Sequence, residues 1–168
     1  MGIVSGMSRT RIMFVCQGNI CRSPLAEAVF NHLLTRRNLT GRYRVDSTGV
    51  SAYHQGENAD PRMRQVAAGH DVVVSHRART IGRDDLDHND IILAMDRSNY
   101  DILQRNAQTP EQRGRIVMFR SFDPGAHGQL DVPDPWYGGI DGFETVFTIV
   151  ERTCRALLDH LERDTTKG

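Results

Sequence analysis

The 168-residue sequence has no excess charge of either sign: 21 lysines and arginines balance 21 aspartates and glutamates. A chain without a net field exerts no general pull on nucleic acid or an anionic membrane, so recognition must come from a local site. No apolar run approaches the roughly 18 residues needed to cross a bilayer. The opening MGIVSGMSR lacks the apolar stretch of a secretory signal. Gly2 does not begin a myristoylation motif, because Gly6 stands where serine or threonine is needed. Cysteine is scarce as well. Cys16, Cys21 and Cys154 are too few, and odd in number, for a disulfide framework. There is no internal repeat and no low-complexity block. The expectation is a cytoplasmic protein in a reducing compartment, with neither membrane nor nucleic acid as partner.

What is present reads as one domain. The expected organisation is a flexible N-terminus over 1–9, a single domain over 10–163 and a tail over 164–168. Apolar strand patterns (RIMFVC, YRVDSTG, DVVVSH, DIILAM, RIVMF) are separated by helical ones. PLAEAVFNHLLTRR, DPRMRQVAAG, DRSNYDILQRN and FETVFTIVERTCRALLDHLER carry apolar residues at helical spacing. The alternation predicts an α/β domain: a parallel sheet flanked by helices on both faces, a three-layer sandwich of Rossmann-like type. One long irregular segment, 120–142, is rich in glycine, proline and aspartate, and loops of that length are usually functional. The acidic stretch DDLDHND, Asp84 to Asp90, has no metal-ligand spacing and reads as a solvated helix and turn. Arg36, Arg37, Arg42 and Arg44 read as a solvated basic face. No metal and no cofactor are expected.

The chemistry concentrates at the end of the first strand pattern, where open α/β sheets bind ligands. Between Cys16 and Arg22, Gln17, Gly18, Asn19, Ile20 and Cys21 form a short loop, and Gly18 and Asn19 allow it to turn tightly. Successive N–H groups then point inward as an anion cradle. Pro24 suits the first turn of the following helix, with Ser23 as its expected N-cap, so the positive helix end faces the same cavity. Arg22 adds a planar fork that can hold two phosphoryl oxygens, a geometry lysine does not reproduce. The loop amides, helix terminus and guanidinium all favour the Cys16 thiolate over the thiol.

VCQGNICRSPLAEAVF resembles the phosphate-binding loop of low-molecular-weight protein tyrosine phosphatases. VDSTGVSA, ADPRM, VSHRAR, DIILAMDRSNYDIL and VPDPWYGGIDGFETVF extend the resemblance over nearly the whole chain. It implies a four-stranded parallel sheet of the phosphotyrosine phosphatase I-like fold, with Cys16 as nucleophile, Arg22 as phosphate binder and Asp134 as general acid. Pro133 and Pro135 stiffen the segment carrying Asp134. Resemblance further implies that Asn19 braces the loop through Ser23, Ser47 and His76. Trp136 and Tyr137 would form an aromatic wall opposite Tyr53, although the family often has two tyrosines where this chain has Trp136 and Tyr137. Cys21 corresponds to the residue that resolves oxidised nucleophile in many members, so redox regulation is expected.

The implied activity is hydrolysis of phosphotyrosine in proteins through a phosphocysteine, without metal. Tyr137 is a candidate target for a tyrosine kinase. Three alternatives use the same cradle. An arsenate reductase needs further redox cysteines near the site, whereas Cys154 lies far along the chain. A non-catalytic phosphoprotein-binding module would not need Cys16 and Asp134. Family members acting on phosphoarginine carry threonine where this chain has Ile20, whose methyl groups suit the floor of a phosphotyrosine pocket.

Overall fold

The computed structural model describes residues 9–136 and 138–167. Four parallel strands, β1 Thr10–Cys16, β2 Tyr43–Gly49, β3 Ile91–Ala94 and β4 Ile116–Met118, form one sheet in the order β2-β1-β3-β4. The helices are α1 Arg22–Arg36, α2 Pro61–Gly69, α3 Arg83–His88, α4 Arg97–Asn106, α5 Pro110–Arg115 and α6 Ile140–Lys167. The expected three layers are therefore present.

Period-two alternation in β1 divides the interior into two cores. Ile12, Phe14 and Cys16 face the core shared with α1, α2 and α6, while Met13 and Val15 face the one shared with α3 and α4. Phe14 sits between Phe30 and Phe119, with ring centroids 5.9 and 5.5 Å away. In α6, Phe143, Val146, Val150 and Leu157 are buried along one stripe, as their spacing predicts. Burying these side chains is worth roughly 1.5–3 kcal/mol each before chain entropy is subtracted. The sheet thereby holds the end of β1 rigidly, and Cys16 is its last residue.

Several local expectations change. Asp71–His76 is not a strand: it opens with a turn at Asp71, whose φ is 63°, and continues without regular structure. Val72 and Val74 are buried and Val73 is 84 % exposed, so the alternation records one-sided packing without sheet pairing. Only Thr80, further on, forms a bridge, to Gly49. Helix α5, PEQRGR, carries no apolar periodicity, and its sequence signal is the cap: Thr109 accepts the Gln112 N–H and Pro110 follows. Residues 164–167, expected as a tail, continue α6. The expected flexible N-terminus lies, except for Arg9, outside the described residues. Arg37 and Arg42 do not form a free basic face: they pair with Asp159 and Glu162 on α6. Within the acidic stretch, Asp85 accepts from the Gly82 N–H and pairs with Arg79, while Asp90 accepts from the Arg11 N–H.

Candidate active site

The segment joining β1 to α1 turns back at Asn19, which adopts a left-handed φ of 59°. Asparagine tolerates that conformation better than most residues. Two glycines make room for the turn. A Cβ on Gly18 would lie 2.8 Å from His54 Cδ2, and one on Gly49 would lie 2.9 Å from the Gln17 carbonyl oxygen. Beyond the sheet, the Val50 and Ser51 N–H groups donate to the carbonyls of Cys16 and Gln17.

Helix α1 begins at Arg22, and Ser23 is not its N-cap. The cap position belongs to Cys21, which makes no side-chain capping bond. Ser23 is drawn inside the first turn because its hydroxyl lies 3.0 Å from Cys16 Sγ and donates to the Thr48 carbonyl at 3.2 Å. An uncapped helix start beside the loop suits an anion.

Beneath the loop, Asn19 Nδ2 donates to Ser23 and Ser47 at 2.9 and 3.1 Å. Asn19 Oδ1 accepts from the Arg79 N–H at 2.9 Å and lies 2.9 Å from His76 Nε2. Ser47 in turn donates to Glu27. The expected brace of Asn19, Ser23, Ser47 and His76 is thus assembled, with Glu27 and Arg79 behind it. Burial, with a smaller push from Asp46, raises the Glu27 carboxyl to about 7 against the Ser47 hydrogen bond and Arg79. Burial lowers His76, partly opposed by its bond to Asn19 and by Asp46.

Above the loop opens a pocket of about 450 Å³. Cys16, Gln17, Gly18, Ile20, Cys21, Arg22, Tyr53, Asp134 and Trp136 all line it, as do Ser51 and His54. Arg22 Nη1 donates to Asp96 Oδ2 at 2.7 Å and to the Val132 carbonyl at 3.0 Å. Its Nη2 lies 3.5 Å from Asp134 Oδ2. Burial works against the Arg22 charge, but Cys16, Asp96 and Asp134 outweigh it and hold the guanidinium above its ordinary range. Asp134 is about half exposed and accepts the Trp136 N–H at 3.1 Å. Burial pushes the Cys21 thiol up, reinforced by Asp60, Cys16 and Asp134. Tyr137 lies outside the described residues.

A thiol, an uncapped helix start, a buried guanidinium and a carboxyl gathered around one pocket are the parts that phosphoryl transfer through a covalent intermediate needs. The family model for low molecular weight phosphotyrosine protein phosphatases matches residues 11–167. The chain belongs to that family. A low molecular weight protein-tyrosine-phosphatase of Streptomyces coelicolor is 42 % identical over 149 residues, 88 % of this chain and 91 % of the relative. A protein tyrosine phosphatase crystal structure from Entamoeba histolytica superposes with a TM-score of 0.88 at 37 % identity, covering 93 % of this chain and 99 % of that one. The Drosophila arginine phosphatase also superposes, with a TM-score of 0.83 at 33 % identity, covering 89 % and 96 %.

Ser51, His54, Asp96 and the groups behind the brace, Glu27 and Arg79, escape sequence reasoning. Asp96 is both the N-cap of α4, accepting the Asn99 N–H at 2.8 Å, and the acceptor for Arg22. Its position at the head of DRSNYDILQRN signals the cap but not the second role. His54 stands between the two aromatic lips, with ring centroids 4.7 Å from Tyr53 and 5.3 Å from Trp136. No local pattern marks it.

Proposed function

We propose that this phosphatase hydrolyses phosphotyrosine in proteins in two steps. Cys16 Sγ attacks phosphorus, forming the S–P bond as the P–O bond to the tyrosyl oxygen breaks, and Asp134 gives that oxygen a proton. Water then attacks phosphorus, the S–P bond breaks, inorganic phosphate leaves and Asp134 recovers a proton from the water. Arg22 and the loop amides hold the phosphoryl oxygens throughout, neutralising charge where it is greatest. The observation that carries the reading is the convergence of Cys16, Arg22 and Asp134 on one pocket.

Phosphotyrosine is favoured over phosphoarginine by Ile20, which is nearly buried at the pocket floor, and by the Tyr53 and Trp136 rings at its mouth. Phosphoserine has too short a stem to bring its phosphate down to Cys16 past those rings. We further assign Cys21 as the thiol that captures a Cys16 sulfenic acid as a disulfide, releasing water. Its raised pKa makes that capture slow until burial is relaxed. Among the described residues no helix is long and apolar enough to cross a membrane. The reading places the work in the cytoplasm, where Cys16 stays reduced, and leaves Tyr137 as the candidate kinase target.

The deciding experiment compares specificity constants for phosphotyrosine, phosphoserine and phosphoarginine peptides with EDTA present. We expect phosphotyrosine to lead by at least about tenfold, the size of one lost apolar contact. Equal constants would overturn the substrate assignment, and no turnover of any peptide would favour a binding module. Gain of phosphoarginine activity in Ile20→Thr would locate the choice at that position.

A further inference from the structure

Among the described residues, the segment carrying Asp134 has no helix or strand before the start of α6. Its tether comes from another element. Arg62, in the first turn of α2, donates through Nη2 to the Trp136 carbonyl and through Nη1 to the Gly138 carbonyl, both at 3.3 Å. The same guanidinium lies 5.6 Å from the Trp136 ring centroid and 4.6 Å from that of Phe143. Its remaining edge grips Asp60, with Nη2 to Oδ2 at 3.0 Å and Nε to Oδ1 at 3.2 Å.

Asp60 is buried and caps α2 by accepting the Arg62 N–H at 2.8 Å. Its own N–H donates to the Ile20 carbonyl, inside the phosphate loop, at 2.8 Å. A continuous chain of hydrogen bonds therefore runs from Ile20 through Asp60 and Arg62 to Trp136 and Gly138. Trp136 completes it by donating its N–H to the Asp134 carboxylate. Burial raises the Asp60 carboxyl, but its bonds to Arg62 and the neighbouring N–H groups outweigh this and keep it below the usual range, so the pair stays charged.

We propose that Arg62 is a positioning residue for proton transfer: with Asp60 it ties the acid loop to the phosphate loop, so that Asp134 keeps its place relative to Cys16. The inference rests on Asp134 being the general acid. Lysine cannot substitute, because a single ammonium does not hold a carboxylate in two bonds and two carbonyls at once. Displacement of a catalytic group by about 1 Å can cost on the order of a hundredfold. The cost should appear only where protonation of the leaving group matters.

The test measures kcat/KM, which reports the phosphocysteine-forming step, for aryl phosphates ranging from p-nitrophenyl to phenyl. Parent, Arg62→Ala, Arg62→Lys, Asp134→Ala and the Arg62→Ala/Asp134→Ala double variant are compared. We expect both Arg62 variants to lose about tenfold or more on phenyl phosphate, and less than about threefold on p-nitrophenyl phosphate. Inhibition by inorganic phosphate should be unchanged. Arg62→Ala should add no further leaving-group dependence once Asp134 is alanine, because the two act in series. Asp60→Asn retains a capping side chain but loses the ion pair, and should reproduce the direction of the effect if Arg62→Ala fails to fold. A uniform loss across the series, or weakened phosphate inhibition, would make Arg62 a general structural prop and overturn the inference. If Asp134→Ala steepens the series and the Arg62 and Asp60 variants do not, the inference alone falls. If Asp134→Ala leaves the series flat, the acid assignment falls and takes this inference with it.

Discussion

Asn19 is buried and its side chain engages Ser23, Ser47, His76 and the Arg79 N–H, whereas Asp134 is about half exposed and accepts a bond from Trp136, with Arg22 3.5 Å away. Asn19 lies beneath the loop that lines the pocket and Asp134 lines the pocket directly, so the two are under different constraints. The phosphate loop is built into the sheet edge and braced from β2, α1 and the 76–79 segment. The acid loop is stiffened by Pro133 and Pro135 and fastened at a distance by Arg62. Damage to the first should therefore weaken every substrate alike, while damage to the second should select among leaving groups.

The largest expected effect isolates the nucleophile from the cradle. Cys16→Ser should lower kcat/KM by at least about a thousandfold while tungstate still binds, since the amides and Arg22 remain. Calorimetric titration with tungstate checks this, and lost binding would mean the sulfur also shapes the loop. Next, Asp134→Ala should cost phenyl phosphate about a hundredfold or more, but p-nitrophenyl phosphate under about tenfold. Equal losses would erase the distinction between the two loops.

Asn19→Ala sharpens the comparison from the other side. It strands the Asn19 partners and places alanine at a left-handed φ, so unfolding free energy should fall by about 2–3 kcal/mol in urea titrations. Its kcat/KM should fall evenly, by about tenfold, across the aryl series. A sloped loss would show that the brace also steers the acid loop.

The smallest effect concerns Glu27, behind the cradle. Its folded carboxyl is raised from 4.5 to about 7, chiefly by burial, so the folded state holds the proton more tightly than the unfolded chain does. That contribution to stability is fully present below pH 4.5 and is lost as pH rises through about 7. Glu27→Gln keeps an acceptor for Ser47 without the charge. The variant should match the parent near pH 4.5 and be more stable by about 1–2 kcal/mol at pH 8, after allowance for the quarter of the side chain that is exposed. Identical pH profiles in urea would show that Glu27 does not titrate in that window.

Local order explains what could be read directly. Cys16, Gly18, Arg22 and Pro24 occupy one strand end, one tight loop and one helix turn, so their spacing alone carries the cradle. Asp60–Pro61 and Asp96 likewise announce helix starts because capping is settled within a few residues. Where two structures satisfy the same local pattern, the pattern does not choose between them. The alternation in Asp71–His76 suits one-sided packing of an irregular segment as well as a strand, and Ser23-Pro24 suits a cap as well as a first turn that follows the loop.

The sequence by itself determined the α/β alternation and the short loop from Cys16 to Arg22 at the end of the first strand, and resemblance pointed to Asp134 among its prolines. Only the tertiary structure decided which distant groups complete the site. Arg22 and Asp96 are separated by 74 positions, Arg62 and Trp136 by another 74, and Asn19 and His76 by 57. Their meeting depends on the order of strands in the sheet and on which helix covers which face. The physical reason is that a side chain's partners across such spans are set by packing of whole elements, and no periodicity within either segment encodes them.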